Sequence, residues 1–153
     1  MKLKLFLAAA LLALGLASCE KDGPENYAQT VAGSYKGWTS AEFQYSPDPM
    51  LTANETLSLL ADEEINRVKL SFVSSSLGTF TCEASVSPAG SGYAITGSGT
   101  TVMGMNPDSR KEYAVTVTGT VSLSGTSRIV FAVPSVMGGM TITFTEGEMP
   151  AES

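Results

Sequence analysis

The sequence predicts an all-β domain: eight strands in an antiparallel up-and-down barrel, with an open β-sandwich as the alternative use of the same strands. Three observations carry this. From Val31 onward, apolar and polar residues alternate with period two in short segments. Clusters of Gly, Pro, Asn, Asp and Ser separate those segments at short spacing. Between them no stretch repeats with the 3.6-residue period that would give a helix a place.

The elements follow in order. Residues 31–45 form one long or bent strand with Gly33 and Gly37 inside it, and Ser46-Pro47-Asp48-Pro49 breaks it because proline has no amide donor for a sheet. Residues 54–61 alternate through Leu57 and Leu59 before Asp62-Glu63-Glu64 turns the chain. Residues 67–73 put Val68, Leu70 and Phe72 on one face, and residues 79–87 do the same with Phe80, Cys82, Ala84 and Val86. Pro88-Ala89-Gly90-Ser91-Gly92 reads as a hairpin loop. Residues 93–103 carry Gly97 and Gly99, which suit a bulge or a barrel corner. Asn106-Pro107-Asp108-Ser109 turns again, and residues 111–123 alternate from Tyr113 to Leu123. The last strands are 128–133, through Ile129, Phe131 and Val133, and 140–145, through Met140, Ile142 and Phe144.

Ahead of the body, Lys2 and Lys4 precede a charge-free apolar stretch at residues 5–16, the layout of a secretory signal and too short for a membrane span. It runs into Leu16-Ala17-Ser18-Cys19, which resembles the lipobox of bacterial lipoproteins. That resemblance implies cleavage after residue 18 and acylation of Cys19, the residue that anchors the chain to a membrane. Removing residues 1–18 from 153 leaves 135, and losing Lys2 and Lys4 takes the charge from −6 to −8. Residues 19–30 then serve as a polar tether. Within it, Glu20-Lys21-Asp22 is similar to export signals of Bacteroidota lipoproteins, so the expected location is the outer membrane, with the surface preferred to the periplasmic face.

Composition removes several function classes. Fifteen acidic against nine basic residues leave no cationic stripe for phosphates, so nucleic acid is excluded as a partner. With no histidine there is no Ser-His-Asp triad, Cys-His pair or imidazole metal site. Cys82, left without a partner once Cys19 is acylated, lies on the apolar phase and is expected to be buried.

Gly33-Ser34-Tyr35-Lys36-Gly37 resembles the opening Gly-x-aromatic of calycins, the lipocalin and fatty-acid-binding-protein group. Tyr35 stands where lipocalins place Trp, and Trp38 follows three residues later. With Val68-Lys69-Leu70-Ser71-Phe72 and Thr141-Ile142-Thr143-Phe144-Thr145-Glu146-Gly147, the body is similar to the calycin-like lipoproteins of Bacteroidota over about residues 29–147. The resemblance implies a calycin-like barrel over residues 31–146 and an envelope location, and it carries over no catalytic residue.

Other constellations point to little chemistry. Asp62, Glu63 and Glu64 could hold calcium, but no further ligand spacing accompanies them, and they read as a solvated turn. Glu42, Glu83 and Glu112 lie in strands with no sign of converging as a glycosidase pair. Gly97-Ser98-Gly99 lacks the helix a phosphate loop needs. Asn54-Glu55-Thr56 matches the glycosylation tripeptide, which a bacterial chain has little use for. The chain is therefore expected to be no enzyme and to need no cofactor or metal. Residues 147–153 read as a flexible polar tail.

The leading expectation is a barrel that binds a small apolar or amphipathic ligand at its open end. Its candidate contacts are Tyr35, Trp38, Phe72, Phe80, Met103, Met105, Phe131, Met137, Met140 and Phe144. The alternative is a filled barrel that grips a protein or a glycan through its surface. An interior cavity separates the two.

Overall fold

The computed structural model of the protein describes residues 26–103, 107–136 and 138–151. Residues 1–25, which hold the expected signal segment, Cys19 and the start of the expected tether, lie outside the described residues. Eight strands follow one another round a closed barrel: β1 (Gly33–Phe43), β2 (Met50–Ala61), β3 (Arg67–Ser74), β4 (Gly78–Ala89), β5 (Gly92–Met103), β6 (Lys111–Val121), β7 (Arg128–Val133) and β8 (Met140–Glu146). Every neighbouring pair is antiparallel, and β8 closes onto β1 from Gly37↔Glu146 to Phe43↔Met140. The open sandwich is thus replaced by closure, which leaves no free sheet edge.

Strand β1 is shorter than the expected 31–45, because Val31 belongs to a helix and Gln44 and Tyr45 to the following turn. Three further boundaries differ from the sequence expectation, each for a physical reason. Strand β2 starts at Met50, directly after Pro49, because a bulge lets it pair with β1 on both sides of Asn54. The register steps from Gly37↔Glu55 to Thr39↔Thr52, so Trp38 faces two residues of β2, and Asn54 takes a positive φ of 60°. Alternation breaks at that point, which hides the strand's first half from a period-two reading. Strand β4 runs through Pro88, which pairs with Tyr93 beyond the last β3 pair, Arg67↔Ser85. The missing N–H therefore falls where β4 has one neighbour instead of two. Gly90 (φ 59°) and Ser91 alone make the turn, the arrangement of a II′ hairpin. Strand β6 ends at Val121, and Leu123 is exposed in the following turn rather than in the core.

The inward phase of each strand builds the core. Leu57, Leu59, Val68, Leu70, Phe72, Phe80, Val115, Val117, Val121, Ile129, Phe131, Ile142 and Phe144 are all at most 1% exposed. The outward phase is hydroxyl-rich and charged, as in Ser58↔Ser71↔Thr81↔Thr100 and Lys69↔Glu83↔Ser98↔Thr116. Apolar inside and polar outside is the reverse of a membrane-spanning barrel, whose lipid face is apolar. These strands are built to stand in water.

Glycines set the strand approach on one side. A methyl group on Gly97 would overlap the Glu83 carbonyl oxygen, and one on Gly99 the carbonyl of Thr81. The β4–β5 contact therefore admits no side chain at those inward positions.

Among the described residues one α-helix, α1 (Tyr27–Val31), covers one end of the barrel, where the sequence showed none. At five residues it is too short for a helical period to register. Asn26 caps it by accepting from the Ala28 N–H at 3.2 Å, and the same oxygen accepts from the Asn66 N–H at 2.9 Å. Asn66, at φ 59° in the β2–β3 turn, returns the bond by accepting from the Tyr27 N–H at 2.7 Å. Ala28 and Val31 are fully buried against the strands, and the Tyr27 and Tyr93 rings meet at 5.7 Å. The tail is also engaged at its start, since the Gly147 N–H donates to the Lys36 carbonyl at 3.0 Å and Met149 is half-buried.

Candidate functional site

The interior, where an enclosed ligand would sit, is occupied by rings. Phe72 lies 5.4 Å from Phe131, 5.7 Å from Phe80 and 6.0 Å from Phe144 between centroids, and Phe80 lies 5.3 Å from Phe131. All four are 0% exposed. They come from β3, β4, β7 and β8, so they meet across the barrel rather than along one wall. Such a cluster is what the inward alternation of these strands produces when every inward residue at one level is large. These four predicted contacts touch one another.

The other candidates are dispersed. Tyr35 stands at the helix end, where its hydroxyl donates to the Val31 carbonyl at 2.6 Å and holds α1 against β1. Burial, and secondly the charge of Glu146, push its phenol pKa up from 10.0. Trp38 is on the opposite face of β1 from Tyr35, in phase with Lys36 and Ser40 and paired with Thr145, so its half-buried indole stands on the outside of the barrel. Met140 is buried at the end away from α1, and Met103 is half-buried there. Met105 and Met137 lie outside the described residues. Cys82 is buried, and desolvation pushes its thiol up from 9.0 to about 11, which makes it a core residue rather than a nucleophile.

Sequence reasoning missed a polar level inside the barrel. Glu55, 1% exposed, is in phase with Leu57 and Leu59 and accepts from the Ser74 hydroxyl at 2.8 Å. Ser74 in turn accepts from the N–H groups of Ser76 at 3.3 Å and Leu77 at 3.1 Å. The carboxylate thus fixes the β3–β4 turn through one hydroxyl. Thr101 donates to the Thr79 carbonyl at 2.8 Å, while Thr39 Oγ1 is buried with no hydrogen-bond partner. Phase alone could have placed Glu55 and Thr39 inward. Their polarity argued for the outside.

Among the described residues, two depressions that open to solvent stand out. The smaller, about 340 Å³, lies at the end away from α1, between Ser74–Thr79 and the Val102, Met103 and Arg110 side. The larger, about 610 Å³, is a groove outside the barrel over β1, lined by Lys36, Asn54, Thr56, Glu148 and Met149. Glu42, Glu83 and Glu112 are exposed on β1, β4 and β6. Asp62, Glu63 and Glu64 form a turn in which the Asp62 carboxylate accepts from the Glu63 N–H at 2.7 Å and Glu64 pairs with Arg67 at 3.6 Å. Among the described residues no cluster of three or more Asp, Glu, His or Cys is placed to hold a metal.

No protein-family model matches the chain, and no curated protein matches it. A solved structure is similar: a protein of Bacteroides fragilis described as a candidate outer membrane protein, with a TM-score of 0.67 and 24% sequence identity. The match covers 82% of this chain and 48% of that one, so this chain spans about half of its length. The likeness is one of fold.

Proposed function

We propose that this chain is a lipid-anchored, calycin-like envelope barrel that acts by surface contact with a partner and not by enclosing a ligand. The observation that carries the reading is the interior: four phenylalanines at 0% exposure fill the space that an apolar molecule would need. Admission of such a molecule would have to displace rings packed at 5.3–6.0 Å from one another. The water-facing outer surface means that membrane attachment must come from outside the barrel wall, and the lipobox-like Leu16-Ala17-Ser18-Cys19 supplies the means. The likeness to a candidate outer membrane protein of Bacteroides fragilis agrees with that location. With α1 and its preceding tether at one end, the opposite end and the barrel flank are the parts turned toward partners. The reading includes no catalysis: the buried Glu55 serves the β3–β4 turn, Glu42, Glu83 and Glu112 stand on separate strands, and Asp62, Glu63 and Glu64 belong to a surface turn.

The test is a titration of residues 20–153, purified without detergent, with cis-parinaric acid and 1-anilinonaphthalene-8-sulfonate. The filled barrel predicts no saturable fluorescence increase. Stoichiometric binding that disappears on unfolding would replace this reading with that of a ligand-enclosing barrel.

A further inference from the structure

We infer that the groove over β1 is a binding site for a neutral oligosaccharide, an inference that rests on the surface-contact reading and names its partner class. The groove holds about 610 Å³, within the roughly 300–1,000 Å³ of small-molecule sites. Its solvent-facing polar lining is charge-balanced and chemically mixed: the Lys36 ammonium, the Glu148 carboxylate, the Asn54 amide and the Thr56 hydroxyl, with the Met149 thioether as the apolar part. Glu55 also borders the groove, but it is 1% exposed and its carboxylate is engaged by Ser74. One cation and one anion give no net attraction to a charged ligand. Adjacent donors and acceptors instead match the vicinal hydroxyls of a sugar, each of which both gives and takes a hydrogen bond.

The backbone is shaped at the same place. Asn54 is held at φ 60° at the β1–β2 bulge, a conformation an L-residue adopts at a cost, and bulges re-aim side chains beside binding sites. Gly147 follows the last β8 residue with no side chain and bonds the Lys36 carbonyl, which keeps the groove floor low. On the same outward face, two residues along β1 from Lys36 and therefore about 6.6 Å away, stands Trp38. A half-exposed indole beside hydroxyl-rich strands offers a flat apolar face to the C–H face of a pyranose. Its neighbours Ser40, Thr143 and Thr145 extend the hydroxyl surface beyond it.

Trp38 is the only tryptophan in the chain, so its emission reports on the flank of the groove along β1. The experiment titrates residues 20–153 with hexasaccharides of glucose, mannose, xylose and N-acetylglucosamine, and with sulfated and uronic-acid hexasaccharides, reading Trp38 fluorescence and heat. The expected result is saturable binding of at least one neutral hexasaccharide. Asn54→Gly, which keeps the positive φ and removes the amide, and Lys36→Met are expected to weaken that binding roughly tenfold without lowering Tm. No saturable response to any neutral hexasaccharide overturns the inference, as does binding confined to the charged ones. Full-strength binding by both variants overturns the placement of the site. None of these results bears on the filled interior, which fails only on uptake of the apolar probes.

Discussion

Replacing Phe72 with alanine probes the filled interior where its packing is densest. Phe72 meets three other rings, at 5.4, 5.7 and 6.0 Å, and is fully buried. A buried Phe→Ala change costs about 3–5 kcal/mol, through lost transfer energy and the cavity left behind. Each lost ring pair adds about 0.5–1.5 kcal/mol, so the loss is expected at the top of that range, about 5 kcal/mol. Against a domain stability of about 5–15 kcal/mol, the variant keeps two-thirds of its stability at best and is unfolded at worst. Urea unfolding of residues 20–153, followed by circular dichroism and Trp38 emission, measures this as a fall in midpoint at constant slope. The vacated volume should also take benzene, raising the Tm of the variant and not of the parent chain. A loss below about 2 kcal/mol, together with a benzene response in the parent chain, would show that the ring borders empty space and refute the packing argument.

Three further outcomes follow from the same structure. Thr39→Val removes a buried hydroxyl with no partner and keeps the side-chain shape, so the urea midpoint should rise by about 1 kcal/mol equivalent; a fall would show that Oγ1 is satisfied in solution. Gly97→Ala places a methyl against the Glu83 carbonyl and 2.5 Å from the Ala84 Cα, which should destabilise by at least about 3 kcal/mol or abolish soluble expression, and a normal midpoint would contradict the β4–β5 geometry. Cys82 should resist Ellman's reagent at pH 8 until urea unfolds the chain. Because its folded pKa is raised from 9.0 to about 11, its contribution to stability is complete below pH 9 and is lost as the pH climbs through 11; Cys82→Ala should remove that part of the alkaline slope.

The strand inventory was readable because the barrel encloses a single core, so period two maps directly onto inside and outside. Phe131 in Arg128–Val133 and Phe72 in Arg67–Ser74 could be assigned inward on alternation alone. Alternation says which face a residue takes and nothing of how far it reaches across the barrel. The four phenylalanines therefore read equally as a pocket lining or a plug. Trp38 shows the other limit. Three residues from Tyr35 on an unbroken alternation, it takes the opposite face of β1 and stands on the outer wall instead of at the barrel mouth. Helix α1 depends on a reciprocal pair of asparagine bonds across 40 residues of sequence, Asn26 to Asn66, which no local pattern announces. Glu55 was obscured by chemistry: a carboxylate is rarely buried, and its partner Ser74 sat in a serine run that looked like nothing more than a turn.

The most direct test of the filled barrel is native mass spectrometry of residues 20–153, purified without detergent and then incubated with a lipid extract from the bacterial host. The account predicts the bare chain mass before and after incubation. A reproducible adduct that survives gentle desolvation and vanishes when the chain unfolds would contradict it, and its mass would begin to identify what the interior holds.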